Sequence, residues 1–108
     1  MAYTRSLGME PVVEAANAQE VDRAVEAGAS IIGVNARDLT SFRVDMDAAA
    51  RCVARIPDDA VAVFMSGVRA LDDFKSIARG RADAVLIGEG LMRAEDPGAR
   101  LRELLGSV

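Results

Sequence analysis

Short, continuously apolar runs alternate along this chain with stretches whose apolar residues recur every three or four positions. The runs are PVVEA at 11–15, SIIGV at 30–34, VAVFM at 61–65 and AVLI at 84–87. Their length and flanking turn residues predict four strands. Between the first two, Asn17 is placed to cap a helix, with Glu20 at capping-box spacing. Val21, Ala24, Val25 and Ala27 follow at helical spacing, and Gly28 ends the pattern. Asp45 is placed to cap a second helix running to about Arg55, which Pro57 stops. Leu71, Phe74, Ile77 and Ala78 form a third helical stripe, ended by Gly80. Pro97 opens a last helix at its preferred first-turn position, carrying Leu101, Leu104 and Leu105. Residues 3–9 read as the last turn of a helix running into the first strand.

The predicted order is β-α-β-α-β-α-β-α. Right-handed crossovers place four such strands side by side and parallel, giving an α/β fold with helices on the outer face. EAGASIIGVNARDL and RGRADAVLIGEGLM repeat one another, each with a small residue, an apolar strand and a glycine near its end. No linker or low-complexity segment divides the chain, so residues 1–108 are expected to form one domain.

Composition narrows the chemistry. The chain is 51% hydrophobic but only 4% aromatic, so Ala, Val, Ile and Leu must build the core. The formal net charge is −4, and no basic stripe with interleaved aromatics stands out, which argues against nucleic acid as a partner. No apolar run approaches the roughly 20 residues that span a bilayer. No signal peptide precedes the first charged residues. A cytoplasmic protein without a membrane partner is expected. The lone cysteine, Cys52, leaves no internal disulfide and no metal cluster, and reads as a small apolar residue on a helix. The chain has no histidine, which removes Ser-His and Cys-His catalysis and the commonest zinc ligand. Neither a cofactor nor a metal is expected.

Candidate chemistry gathers where the last two strands end. Phe64-Met65-Ser66-Gly67 and Ile87-Gly88-Glu89-Gly90 each run from a strand into a glycine turn and then a helical pattern. Adjacent parallel strands ending this way bring backbone N–H groups to one place, which suits a phosphate and occurs in many (β/α)8 barrels. Such a barrel takes about 250 residues. This chain has 108.

LGMEPVVEA at 7–15, AGASIIGVNARDL at 27–39, MSGV at 65–68 and ADAVLIGEGLMRAEDPGARLREL at 82–104 together resemble the indole-3-glycerol phosphate synthases. These are (β/α)8-barrel enzymes of tryptophan biosynthesis that close an indole ring with decarboxylation. The resemblance covers strands five to eight of that barrel, and so implies a (βα)4 half-barrel of the TIM-barrel type. Glu14 matches the family's glutamate thought to act as general base late in ring closure. Asn35 and Arg37, in VNARDL, match substrate-contacting positions. Ser66, Gly67, Gly88 and Glu89 match the phosphate-binding turns, although the family often has Ser at the position of Glu89. Two departures stand out. The family's third-strand signature is E-S-G, where this chain has Met65-Ser66-Gly67. The family's catalytic lysines come from strands one to three, whereas the one lysine here is Lys75, mid-helix and expected on the outer face.

Each candidate also has a plainer reading. Glu14 is then an inherited rim carboxylate, paired with Arg37 or with a second chain. Asn35, Arg37 and Asp38 order their own loop, since Asn and Asp favour turns and Arg pairs with carboxylate. The glycines serve tight strand–helix turns, and Met65 is an apolar plug.

Four strands leave two edges unpaired and one apolar face uncovered, which favours association. The chain is therefore expected to form a homo-oligomer and to bind a phosphate or sugar phosphate. It is not expected to carry out the synthase reaction alone. Completion by another chain bringing the lysines, a ligand-free assembly module and an engineered fragment are the alternatives.

Overall fold

The computed structural model describes residues 1–37, 43–68 and 70–108. The elements are α1 (Ala2–Ser6), β1 (Val13–Ala15), α2 (Ala18–Glu26), β2 (Ile31–Asn35), α3 (Met46–Ala54), β3 (Val61–Met65), α4 (Leu71–Ala78), β4 (Ala84–Leu86), α5 (Glu89–Met92) and α6 (Pro97–Gly106). β1 is shorter than expected, because Pro11 has no N–H to give a ladder.

The helix starts follow their caps. Asn17 accepts from the Glu20 N–H, Asp45 from the Ala48 N–H and Asp96 from the Ala99 N–H. The Asp96 cap, just before Pro97, was not anticipated. The Glu20 carboxylate also accepts from the Ala16 N–H, at 3.3 Å.

All four strands are parallel, in the order β1-β2-β3-β4. A doubly wound sheet reverses its strand order and carries helices on both faces. Here the order never reverses, so crossovers of one hand stack α2, α3 and α4 on one side. The register makes the two faces explicit. Ala15, Val34, Phe64 and Val85 form one cross-strand row, and Val13, Ile32 and Ala62 the next. These rows pack with Val21, Ala24, Ala49, Val53 and Ile77 of the helices in one core. The opposite rows are Glu14-Gly33-Val63-Ala84 and Asn35-Met65-Leu86.

The contrast between faces is large. Val34 and Phe64 are 1% and 2% exposed, whereas Val12, Val61 and Leu86 are 52%, 43% and 56% exposed. This is the layout of a barrel wall, apolar toward helices outside and toward a packed lumen inside. The fold is an α/β half-barrel with its lumen side open. Its radius of gyration, 14.4 Å, exceeds the roughly 13 Å of a compact domain of this length.

At the N-terminal ends of the strands the connections are tied by charge. Arg81 donates to the carbonyls of Ile56, Pro57 and Ala60, at 3.2, 2.7 and 2.8 Å. It also pairs with Asp83 at 2.7 Å. The same Asp83 oxygen accepts from the Ala62 N–H at 2.9 Å. The Ala62 hydrogen bond, helped by Arg81, holds the Asp83 carboxyl below its usual range. Nearby, Arg5 joins Glu10, Ser30 and the Gly28 carbonyl.

Candidate functional site

The C-terminal ends of the strands carry the predicted residues. Glu14 is central in β1 and Asn35 ends β2, both on the lumen side. Asn35 Nδ2 donates to Glu14 Oε1 at 3.1 Å. Asn35 Oδ1 accepts from the Arg37 N–H at 2.9 Å and from the Ser66 hydroxyl. One amide thus joins the ends of three strands and closes an Asx turn into the following loop. Asn35 orders the turn, as the plainer reading expected, and its amide lies at the rim. Asp38 lies outside the described residues.

The chain turns sharply after β3. Ser66 and Gly67 have φ of 57° and 80°, successive left-handed residues. Only glycine adopts such a φ at no cost. A Cβ on Gly67 would also lie 2.8 Å from Met46 Sδ and 3.1 Å from Ala36 Cβ. The Ser66 N–H is taken by the Leu86 carbonyl at 3.2 Å, and so does not face an anion as the turn pattern led one to expect.

The second turn divides its glycines by role. A Cβ on Gly90 would come within 2.8 Å of the Val68 carbonyl, so packing requires glycine there. Gly88 has φ −109°, open to any residue, and a Cβ there would meet nothing within 4 Å. Nothing internal demands glycine at 88, and the space beside it belongs to a cleft. That cleft, about 640 Å³, is lined by Ser66, Gly67, Gly88 and Glu89 together with Arg37, Arg93 and Arg100. A neighbouring cleft of about 840 Å³ contains Glu14, Asn35 and Arg37 among its walls. Arg37 lines both.

The pairing of Glu14 and Arg37 differs from expectation. Glu14 meets Asn35, while Arg37 Nη2 reaches across to Glu89 Oε2 at 3.1 Å. Arg93 takes the other Glu89 oxygen at 2.8 Å. Arg100 pairs with Glu103 at 3.1 Å. Arg93 and Arg100 escaped the sequence reading. The Glu89–Arg93 spacing, one helical turn, was a usable signal. Arg100 becomes visible only once α6 packs against α5.

Met65 lies where the resembling enzymes have glutamate. It is half-buried, and its thioether covers Gly33 beside Val12, so that a side chain at 33 would collide with it. This is the expected apolar plug. Lys75 sits on α4 in the outer helix layer. Cys52 is free, half-buried and packed against the core. Among the described residues no group of His, Cys, Asp and Glu gathers that could hold a metal, and no helix is long and apolar enough to cross a membrane.

Comparison with known proteins places this geometry. Two solved structures share the fold. A chain of the Amycolatopsis orientalis BexX/CysO complex matches with a TM-score of 0.71 and 24% identity, over 95% of this chain and 44% of that one. A mandelate oxidase mutant with a monooxide FMN adduct matches at 0.59 and 23%, over 90% and 33%. At these identities the likeness is one of fold alone. Sequence relatives are far closer. The indole-3-glycerol phosphate synthase of Mycobacterium ulcerans is 48% identical over 102 residues, 94% of this chain and 38% of the relative. Indole-3-glycerol phosphate synthase 2 of Streptomyces coelicolor is 47% identical over 106 residues, 98% and 41%. The multifunctional tryptophan biosynthesis protein of Schizosaccharomyces pombe is 45% identical over 103 residues, 95% and 14%. The chain thus spans about two-fifths of the length of the two synthases. The family model for indole-3-glycerol phosphate synthase matches residues 1–104, and with relatives this close the chain belongs to the indole-3-glycerol phosphate synthase family.

Proposed function

We propose that this chain is the C-terminal half, strands five to eight, of an indole-3-glycerol phosphate synthase barrel. In this reading it self-associates, keeps a phosphate-ester site and does not close the indole ring unaided. The observation that carries the reading is the open lumen face. Val12, Val61, Val63, Met65 and Leu86 point where a closed barrel packs layers of side chains, and β1 and β4 each keep a free edge. Two copies about a two-fold axis along the barrel bring β4 of each beside β1 of the other. Eight parallel strands then close, and no edge remains.

Phosphate-ester binding is supported by Gly88 beside open space and by three arginines around one cleft. Guanidinium groups match phosphate oxygens well. Loss of ring closure follows from the residues at the rim. Expelling hydroxide needs a general acid. The one lysine lies in the outer layer, and Met65 has no proton to give. A cytoplasmic location goes with this biosynthetic origin.

Sedimentation equilibrium at micromolar concentration is the test, with a dimer or larger assembly expected and a monomer overturning self-association. Heating with inorganic phosphate should raise Tm, following RT ln(1+[L]/Kd). Met65→Glu alone should leave turnover undetectable, and recovery from that change would refute the account of the missing acid.

A second reading is favoured by the ordered Glu14–Asn35–Ser66 network, which holds the family's rim residues together. Here the chain is completed by another that brings strands one to four and the lysines. Turnover that appears only on mixing with such a chain would select it.

A further inference from the structure

The cleft beside Gly88 has one acidic side chain in its lining among the described residues, and that side chain is shared between two arginines. Glu89 Oε2 accepts from Arg37 and Oε1 from Arg93. The third arginine of the lining, Arg100, is held by Glu103, which lies outside it. Arg37 stands 52 positions from Glu89, just beyond β2, so the carboxylate bridges two loops of the rim. A carboxylate placed between two guanidinium groups occupies the position that an oxyanion ligand would take.

We infer that Glu89 is a tethered occupant of the anion site, which a phosphate ester must displace to reach Arg37 and Arg93. The inference rests on the phosphate-ester reading above and deepens it by naming the residue that sets the affinity.

The exchange is physically reasonable in both directions. A phosphate monoester carries nearly two charges and three acceptor oxygens. It therefore offers each arginine more than half of one carboxylate. Glu89 in turn is attached to the chain, so its local concentration is high without any ligand. Both ion pairs are substantially exposed, with the Arg93 side chain 80% accessible, and exposed pairs of this kind are weak. Glu89 is thus a competitor that lowers affinity without blocking the site. It also keeps Arg37 and Arg93 from repelling one another when no ligand is bound.

The decisive measurement is the Kd for inorganic phosphate by calorimetry, for wild type, Glu89→Gln, Glu89→Asp and Glu103→Gln. Glu89→Gln removes the competitor, keeps the side-chain shape and should tighten binding roughly tenfold, the combined weight of two exposed pairs. Glu89→Asp, too short to serve both arginines, should fall between. Glu103→Gln changes net charge by the same amount next to Arg100 but leaves Arg37 and Arg93 paired, and should tighten binding by no more than about threefold, the weight of the one exposed pair it releases. If Glu103→Gln tightens binding as much as Glu89→Gln, general charge is responsible and the tether is overturned. Equal Kd for wild type and Glu89→Gln overturns the tether but leaves the phosphate site standing. Folded wild type and Glu89→Gln that both fail to bind phosphate overturn the site and the tether together. Unchanged melting of the Glu89 variants identifies a change in affinity with the cleft itself.

Discussion

At the N-terminal ends of the strands Arg81 spreads its guanidinium over three backbone carbonyls and Asp83. At the C-terminal ends Arg37 and Arg93 divide one exposed carboxylate. Both ends are rich in charge, yet the charges do different work. Below, they hydrogen-bond the carbonyls of the α3–β3 connection and tie it to the α4–β4 connection. Above, they pair with one another across clefts of about 640 and 840 Å³. The half-barrel thus shows the two kinds of strand end that a whole barrel has, one tied by hydrogen bonds to backbone and one lined by open clefts.

The largest effect should come from the closed end. Arg81→Ala leaves the carbonyls of Ile56 and Ala60 without this donor, leaves Pro57 only the Ala60 N–H, and removes the ion-pair partner of Asp83. Orphaning such groups costs about 2–4 kcal/mol in all. For a domain of this size that lowers Tm by on the order of 10 °C. Calorimetry checks it, and a variant that melts with wild type would break the comparison at its firmer end. Gly67→Ala should come next, although it lies at the C-terminal ends of the strands. Its φ of 80° disfavours any Cβ, and Met46 and Ala36 leave that Cβ no room. A cost of about 1–3 kcal/mol follows. The difference lies between groups and not whole ends, since the C-terminal end is itself held by one strained turn.

A smaller effect separates the ends by pH. The Ala62 N–H and Arg81 hold Asp83 below its usual range, Ser30 and Arg5 do the same for Glu10, and Arg55 for Asp22. A carboxylate whose pKa is lower folded than unfolded adds stability above its unfolded pKa. That stability is lost as pH falls through the folded value. The contribution should therefore be complete at neutral pH and begin to fall away below about pH 4. Asp83→Asn should be less stable than wild type at pH 7, with the two urea midpoints converging in acid. A constant gap down to pH 2 would mean that Asp83 acts through its shape and not its charge.

Much of this frame was legible in the chain. Four strands, their order and three of the longer helices follow from continuous apolar runs, from Asn17 and Asp45 as caps, and from Gly28, Pro57 and Gly80 as stops. Those signals are local, so sequence carries them. The motif residues Glu14, Asn35, Arg37, Ser66, Gly67, Gly88 and Glu89 do line one rim, because the βα repeat sends every strand's C-terminal end the same way. Their partners were not legible. That Asn35 meets Glu14, or that Arg37 crosses to Glu89, depends on rotamers and on separations of 21 and 52 positions, which no periodicity encodes. The same is true of Arg81, whose three carbonyl partners are spread over the turn before β3.

Gly88→Ala should be the gentlest change to the fold and the most informative about the rim. Its φ of −109° suits alanine, and an added Cβ meets no atom within 4 Å. Gly88 caps the four-residue α5, where replacing glycine by alanine costs up to about 1 kcal/mol. Tm should hence fall by no more than about 5 °C, less than for Arg81→Ala or Gly67→Ala. The methyl group would enter the cleft shared by Arg37, Arg93 and Arg100, and should weaken phosphate binding while Gly67→Ala weakens the fold. Glycine at 88 then serves close approach by a ligand, and glycine at 67 serves the turn. If Gly88→Ala instead melts early and binds phosphate normally, both glycines are turn residues and the cleft loses its strongest claim to be a binding site.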